Sequence, residues 1–211
     1  MRADAHAEGN CLGIGGWAGF PGRDWCRTQL RWFSLQFTIN DFPPSWNLQK
    51  ACTSDRTNLL EGHRIIAGLE TLAQTVLLIM TRDFLAHRCG PCYLPVESDN
   101  APTVGALNKI FSNKWPMAYF ILNFHHWSIQ CNFQAEATHV KGIDNDYADT
   151  LSRALTIEEL LQEGWQPELQ FKFSLQEILS PQPGTLHPPG ASARAPPRLQ
   201  RFTSWLNAQQ T

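Results

Sequence analysis

The sequence predicts an α/β domain followed by an extension that has no core of its own. Strand and helix signals alternate over the first 154 residues. One stretch, Asn58 to about Arg82, has the i, i+3, i+4, i+7 apolar spacing of a long amphipathic helix. Beyond Ser180 the composition turns to Pro, Gly, Ala and Ser with few large apolar side chains, too few to offset the entropy of ordering. A chain of 211 residues suits one ordinary domain plus an appendage, and eight Trp with twelve Phe are enough to build its core. The expected division is a domain over residues 1–154, a short helical extension over 155–180 and a Pro-rich, disordered tail over 181–211.

Gly13 to Phe20 and Leu30 to Ile39 read as strands, the first rich in glycine and the second aromatic and alternating. Pro43, Pro44 and the polar stretch to Thr57 read as a loop. The long helix follows, with Ile65, Leu69, Leu72, Ala73, Val76 and Met80 on its apolar stripe. Glu61 and Glu70 lie nine positions apart on it, about two and a half turns, so they point to roughly opposite sides. A strand over Tyr93 to Ser98 leads into Asp99-Asn100-Ala101-Pro102, where Pro102 suits the first turn of a helix. Pro116 to Gln130 reads as a helix, Asn132 to Val140 as a strand and Asp144 to Arg153 as a last helix; residues 1 to 4 could be a stub of strand. Thr156-x-x-Glu159 and Ser174-x-x-Glu177 are capping boxes for two short helices.

Several function classes lose ground. Residues 1–153 hold thirteen Lys and Arg against fourteen Asp and Glu, a balance that does not advertise a nucleic-acid binder but settles nothing alone, since acids that held divalent cations would drop out of the count. The six cysteines are irregularly spaced, as in a reduced protein. Cys89-Gly-Pro-Cys92 matches the CxxC of thiol oxidoreductases, but it follows a helical pattern and enters a strand, the reverse of the order that activates the thiol. No run of eighteen apolar residues suggests a membrane span, and MRADAHAEGN lacks the apolar stretch of a signal peptide; a soluble, intracellular chain is expected.

The chemistry is carried by acids. Asp144, Asp146 and Asp149 crowd into one short segment, and two carboxylates about 4 Å apart repel by roughly 4 kcal/mol at a protein surface. Either water and a helix N-terminus solvate them, or a hard metal ion that prefers oxygen ligands draws on them. Four segments then resemble one family in the right order: ADAHAEGNCLGIGGWAG, NLLEGHRIIAGLETL, VESDNAPTVGALNK and HVKGIDNDYADTLSR. Over residues 2–153 the chain resembles ribonuclease H, above all the domains that follow reverse transcriptase in gypsy-like and DIRS-like retrotransposons. The last segment is similar to the retroelement ending Pro-Gly-x-x-Asn-x-x-Ala-Asp-x-Leu-Ser-Arg, with Lys141 in place of Pro.

The resemblance implies a mixed five-stranded sheet flanked by helices and a catalytic, metal-binding tetrad of Asp4, Glu61, Asp99 and Asp149. It implies two Mg²⁺, or Mn²⁺, and hydrolysis of the RNA strand of RNA/DNA hybrids, with a reverse transcriptase domain upstream in a parent polyprotein as a further partner. Asn100, Asn108, Lys109 and Lys114 are candidate contacts to the nucleic-acid backbone, a solvated helix face being the other reading of them; Asn145 matches the family's loop Asn. Three departures stand out: only MRA precedes Asp4 where the family has a full apolar strand, so strand one is expected to be truncated; no His lies in the short loop between Lys141 and Asn145; and the Pro43 to Thr57 loop is longer than the family's usual link. The alternative function is a catalytically silent, transposon-derived module that binds nucleic acid or protein.

Overall fold

The computed structural model describes residues 1–19, 26–49, 65–85, 92–154 and 156–179. Strands β1 (Arg2–Glu8), β2 (Cys11–Ala18), β3 (Arg31–Thr38), β4 (Cys92–Ser98) and β5 (Phe133–His139) form one sheet in the order β3-β2-β1-β4-β5. The first three pair antiparallel, while β4 runs parallel to β1 and to β5. This is the mixed, five-stranded, helix-flanked α/β sheet that the resemblance implies. Its helices are α1 (Ile66–Leu85), α2 (Ala101–Lys109), α3 (Met117–Gln130), α4 (Asp146–Arg153), α5 (Ile157–Gln162) and α6 (Leu175–Leu179).

Strand β1 is longer than a stub, and Asp4 does not end it. The strand runs on to Glu8 and turns through Gly9, whose φ of 57° is a conformation open to glycine. Its two edges differ. Toward β2 the ladder runs the whole length, from Arg2 opposite Trp17 to Glu8 opposite Cys11. Toward β4 it has a single step, Arg2 opposite Glu97. Side chains close the rest of that seam: Gln74 of α1 donates from Nε2 to the carbonyls of Ala3 (3.4 Å) and Glu97 (3.0 Å), and Arg2 pairs with Glu97 at 2.6 Å while also donating to the carbonyl of Asp144.

Helix α1 is buried on every side from Gly68 to Thr81, where the sequence predicts an amphipathic helix with one wet face. One side packs on the sheet. The other is covered by α3, whose Phe120 ring comes so close to Gly68 that a Cβ there would lie 2.5 Å from it. Thr71, Thr75 and Thr81 fit inside because each hydroxyl donates to the carbonyl one turn back, at 2.7–3.0 Å.

The opposite face of the sheet carries α4. Cβ atoms added to Gly13 and Gly15 would lie 2.0 Å from the Ser152 carbonyl oxygen and 2.3 Å from the Leu151 main chain, so both positions need glycine for the helix to lie on β2. Residues 156–179 join this domain. Trp165 packs with Trp17, Trp32, Ala148, Leu151 and Leu160, and Phe171 donates its N–H to the Trp32 carbonyl at 2.8 Å. At the far end, the Ile178 carbonyl accepts from Asn123 and Trp127, both at 3.0 Å. Both capping boxes form, with Thr156 and Ser174 exchanging bonds with Glu159 and Glu177. Met1–Pro181 is one compact unit. The tail expected over 181–211 lies outside the described residues, as does Cys89. Among the described residues no helix is long and apolar enough to cross a membrane.

Candidate metal centre

Asp4 is paired with Gly15 across the β1–β2 ladder and so shares the face that α4 covers. Glu70 belongs to α1, on the other face. The two carboxylates meet in the seam where β1 and β4 part, and Asp99, the first residue after β4, adds a third. One carboxylate oxygen from each of Asp4, Glu70 and Asp99 lies within 4.8 Å of the other two.

The first two are deeply placed: Asp4 is 5% exposed and Glu70 3%, while Asp99 is half-buried. Burial pushes the Glu70 carboxyl up to about 10, aided by the charge of Asp4, to which Glu70 donates a hydrogen bond, and by that of Asp99. Burial also raises Asp4, to about 6, with hydrogen bonds from Glu70 and Ser152 opposing the shift and the charges of Asp99 and Asp149 adding to it. Both shifts run the same way, so this buried pair holds a proton more readily than two isolated carboxyls would. The Ala5 N–H (3.4 Å) and the Ser98 hydroxyl (3.3 Å) also point to Glu70.

An all-oxygen set of three clustered acids fits a hard divalent cation such as Mg²⁺ or Mn²⁺; among the described residues no His or Cys, which would favour zinc, joins the group.

Of the four acids expected from the sequence, Asp4 and Asp99 come together. Glu61 lies outside the described residues, and the α1 acid found with the other two is Glu70. Asp149 stands beside this group in the first turn of α4: its charge raises Asp4, but its Oδ1 is paired with Arg153 Nε at 2.6 Å and it is not one of the three converging acids. Asp144 and Asp146 are exposed, and Asp146 accepts from the Tyr147 N–H at 2.8 Å.

The expected nucleic-acid contacts divide in two. Asn100 caps α2, accepting from the Thr103 N–H and hydroxyl, both at 3.1 Å. Asn108 exchanges two bonds with the Ala137 main chain, at 2.8 and 2.9 Å, and so blunts the free edge of β5. Asn145 is 1% exposed, and neither of its amide atoms has a partner among the described residues. Lys109 and Lys114 are exposed. Two further residues lie against Asp99, Gly142 being the Gly of the HVKGIDNDYADTLSR segment. His139, the last residue of β5, has Nε2 3.1 Å from the Asp99 carbonyl oxygen. Gly142 approaches the Asp99 carboxylate so closely that a Cβ would lie 3.2 Å from Oδ2.

No family model matches the chain, and no curated protein does. Among solved structures, it is similar to the ribonuclease H1 of the halophilic archaeon Halobacterium salinarum, with 15% identity over 77% of this chain and 96% of that one, at a TM-score of 0.44.

Proposed function

We propose that the chain is a ribonuclease H of the retroelement type, cutting the RNA strand of RNA/DNA hybrids with two divalent cations. The observation that carries this reading is the meeting of Asp4, Glu70 and Asp99 in the seam of the sheet, with Asp149 beside them. Asp4, Glu70 and Asp99 would hold the cations, and Asp149 would join them on leaving Arg153. Two bound Mg²⁺ would supply an activated water on one side of the scissile phosphate and charge neutralisation for the leaving 3′ oxygen on the other.

The chain's own groups do the rest. Ser98 and the Ala5 N–H fix Glu70, while Gly142 keeps the space beside Asp99 free of a side chain. Lys109 and Lys114 are exposed and would meet phosphates, and a hybrid duplex would be selected by its shape and its 2′-hydroxyls. On this reading the domain works inside the cell, next to a reverse transcriptase in a parent polyprotein.

The second reading, a silent nucleic-acid-binding module, is favoured by the single-step ladder between β1 and β4, which leaves the acids resting on side-chain bonds such as those of Gln74. Incubating the purified chain with a labelled RNA/DNA hybrid separates the two. Mg²⁺-dependent cuts in the RNA strand that disappear in Asp99→Asn are expected. A folded protein that binds the hybrid without cutting it at any Mg²⁺ or Mn²⁺ concentration would leave the second reading.

A further inference from the structure

We propose that Ser152 is a positioning residue for Asp4, one that ties α4 to the metal centre; this rests on the reading of Asp4, Glu70 and Asp99 as that centre. Ser152 is fully buried, and its Oγ donates to Asp4 Oδ2 at 2.8 Å. The same carboxylate converges with those of Glu70 and Asp99, so the serine bond bears directly on its orientation among them.

The hydroxyl is itself held from several directions. Its residue's carbonyl accepts from Gln36 Nε2 of β3 at 2.8 Å. Its main chain sits on Gly13 and Gly15 at a distance no Cβ could tolerate, and Gly15 is the ladder partner of Asp4. The strand that carries the acid and the helix that carries its donor are thereby locked in register.

A buried serine in a helix can also just satisfy its own turn, and Ser152 Oγ does lie 2.9 Å from the Asp149 carbonyl oxygen. A hydroxyl has one proton to give. An ionised carboxylate is the stronger acceptor, so the proton goes to Asp4 when that group is charged to take a metal. Since Asp149 is itself in the first turn of α4, the same serine ties the helix that carries Asp149 to the strand that carries Asp4.

The test is Mn²⁺ binding to the full chain, followed by electron paramagnetic resonance, alongside thermal melting without metal. Ser152→Ala should weaken Mn²⁺ binding by about tenfold or more, the usual effect of removing a partner of a metal ligand. Ser152→Cys, which keeps a side chain there but donates poorly, should resemble Ala in metal affinity. Both should melt near the wild-type temperature. If both variants bind Mn²⁺ like the wild type, Ser152 only fills space and the proposal is wrong while the metal centre stands. A Ser152→Cys variant that binds like the wild type beside a weakened Ser152→Ala also overturns it, because bulk and not a donated proton would then matter. If the wild-type chain binds no Mn²⁺, the centre and the role of Ser152 fail together.

Discussion

Strand β1 has two edges made by different means. On the β2 side, main-chain bonds run along the whole strand, and the glycines opposite Asp4 and His6 let a helix lie directly on the ladder. On the β4 side, the ladder stops after one step, and three carboxylates and the Gln74 amide fill the gap. Backbone pairing stabilises without regard to sequence, but it leaves no room for chemistry. Where the strands part, side chains from both faces of the sheet can meet, at the cost of burying charge.

The largest test of that contrast is which glutamate serves the open edge. Glu70→Gln should lower cleavage of an RNA/DNA hybrid by about three orders of magnitude, some 4 kcal/mol of transition-state stabilisation. Glu61→Gln should leave the rate within a few-fold. The reverse result would move the centre to Glu61 and leave Glu70 a buried acid of the core. Because Gln need not take up a proton to enter the buried seam, as an acid raised this far must, Glu70→Gln should also make the metal-free protein more resistant to heat at neutral pH, a separation of stability from activity.

The next effect is on pH. The carboxyls of Asp4 and Glu70 are raised in the folded protein, to about 6 and about 10, above their ordinary 3.8 and 4.5. The folded state therefore keeps protons that the unfolded chain has released. The stability this confers is complete below about pH 4 and is lost as pH climbs through 6 toward 10. Without metal, the melting temperature should fall over that window. Added Mg²⁺ should restore it, increasingly so at higher pH, because binding must displace the shared proton. A metal-free melting temperature that stays level from pH 5 to pH 9, or is equally flat in the wild type and Glu70→Gln, would show that the acids are not crowded as described.

Much of the fold was legible in the sequence because its signals are periodic. The apolar stripe from Ile65 to Met80 is the core of α1, and each of its expected positions is at most 2% exposed. The strand bounds fell within a few residues, except at β1, where the sequence offered three residues before Asp4 and no turn signal until Gly9. The site was legible in part. Asp4 and Asp99 stand out as acids at strand positions, but the nine-residue spacing of Glu61 and Glu70 names two candidates and gives no way to choose by spacing alone. A signal was present all the same: Glu70 interrupts the apolar run Leu69, Leu72, Ala73, so its carboxyl had to be buried with other polar groups. The roles of Asn108 and Asn100 were hidden, because an exposed amide and one bonded to a strand edge look alike until the chain is folded.

The Gln74 amide offers a smaller effect. Gln74→Ala removes the donor shared by the Ala3 and Glu97 carbonyls, and leaving such groups buried without a partner costs about 1–3 kcal/mol. Urea unfolding should show a loss of that size. Cleavage should fall as well if the seam holds the acids at their working distance. A variant that loses stability but not activity would mean that Arg2 and Glu97 suffice to hold the strands.

The smallest effect is expected outside the seam, at Asp146. It sits in the same crowded segment as Asp149, yet it is exposed, and its carboxylate accepts the Tyr147 N–H at the start of α4. Water solvates its charge, and the helix N-terminus complements it by about 0.3–1 kcal/mol. Asp146→Asn should therefore shift urea unfolding by no more than that, leave cleavage within about twofold, and leave Mn²⁺ affinity unchanged. A large loss of metal binding in this variant would extend the centre from the β1–β4 seam onto the exposed turn before α4. The buried seam would then no longer be what sets the reactive acids apart from the others.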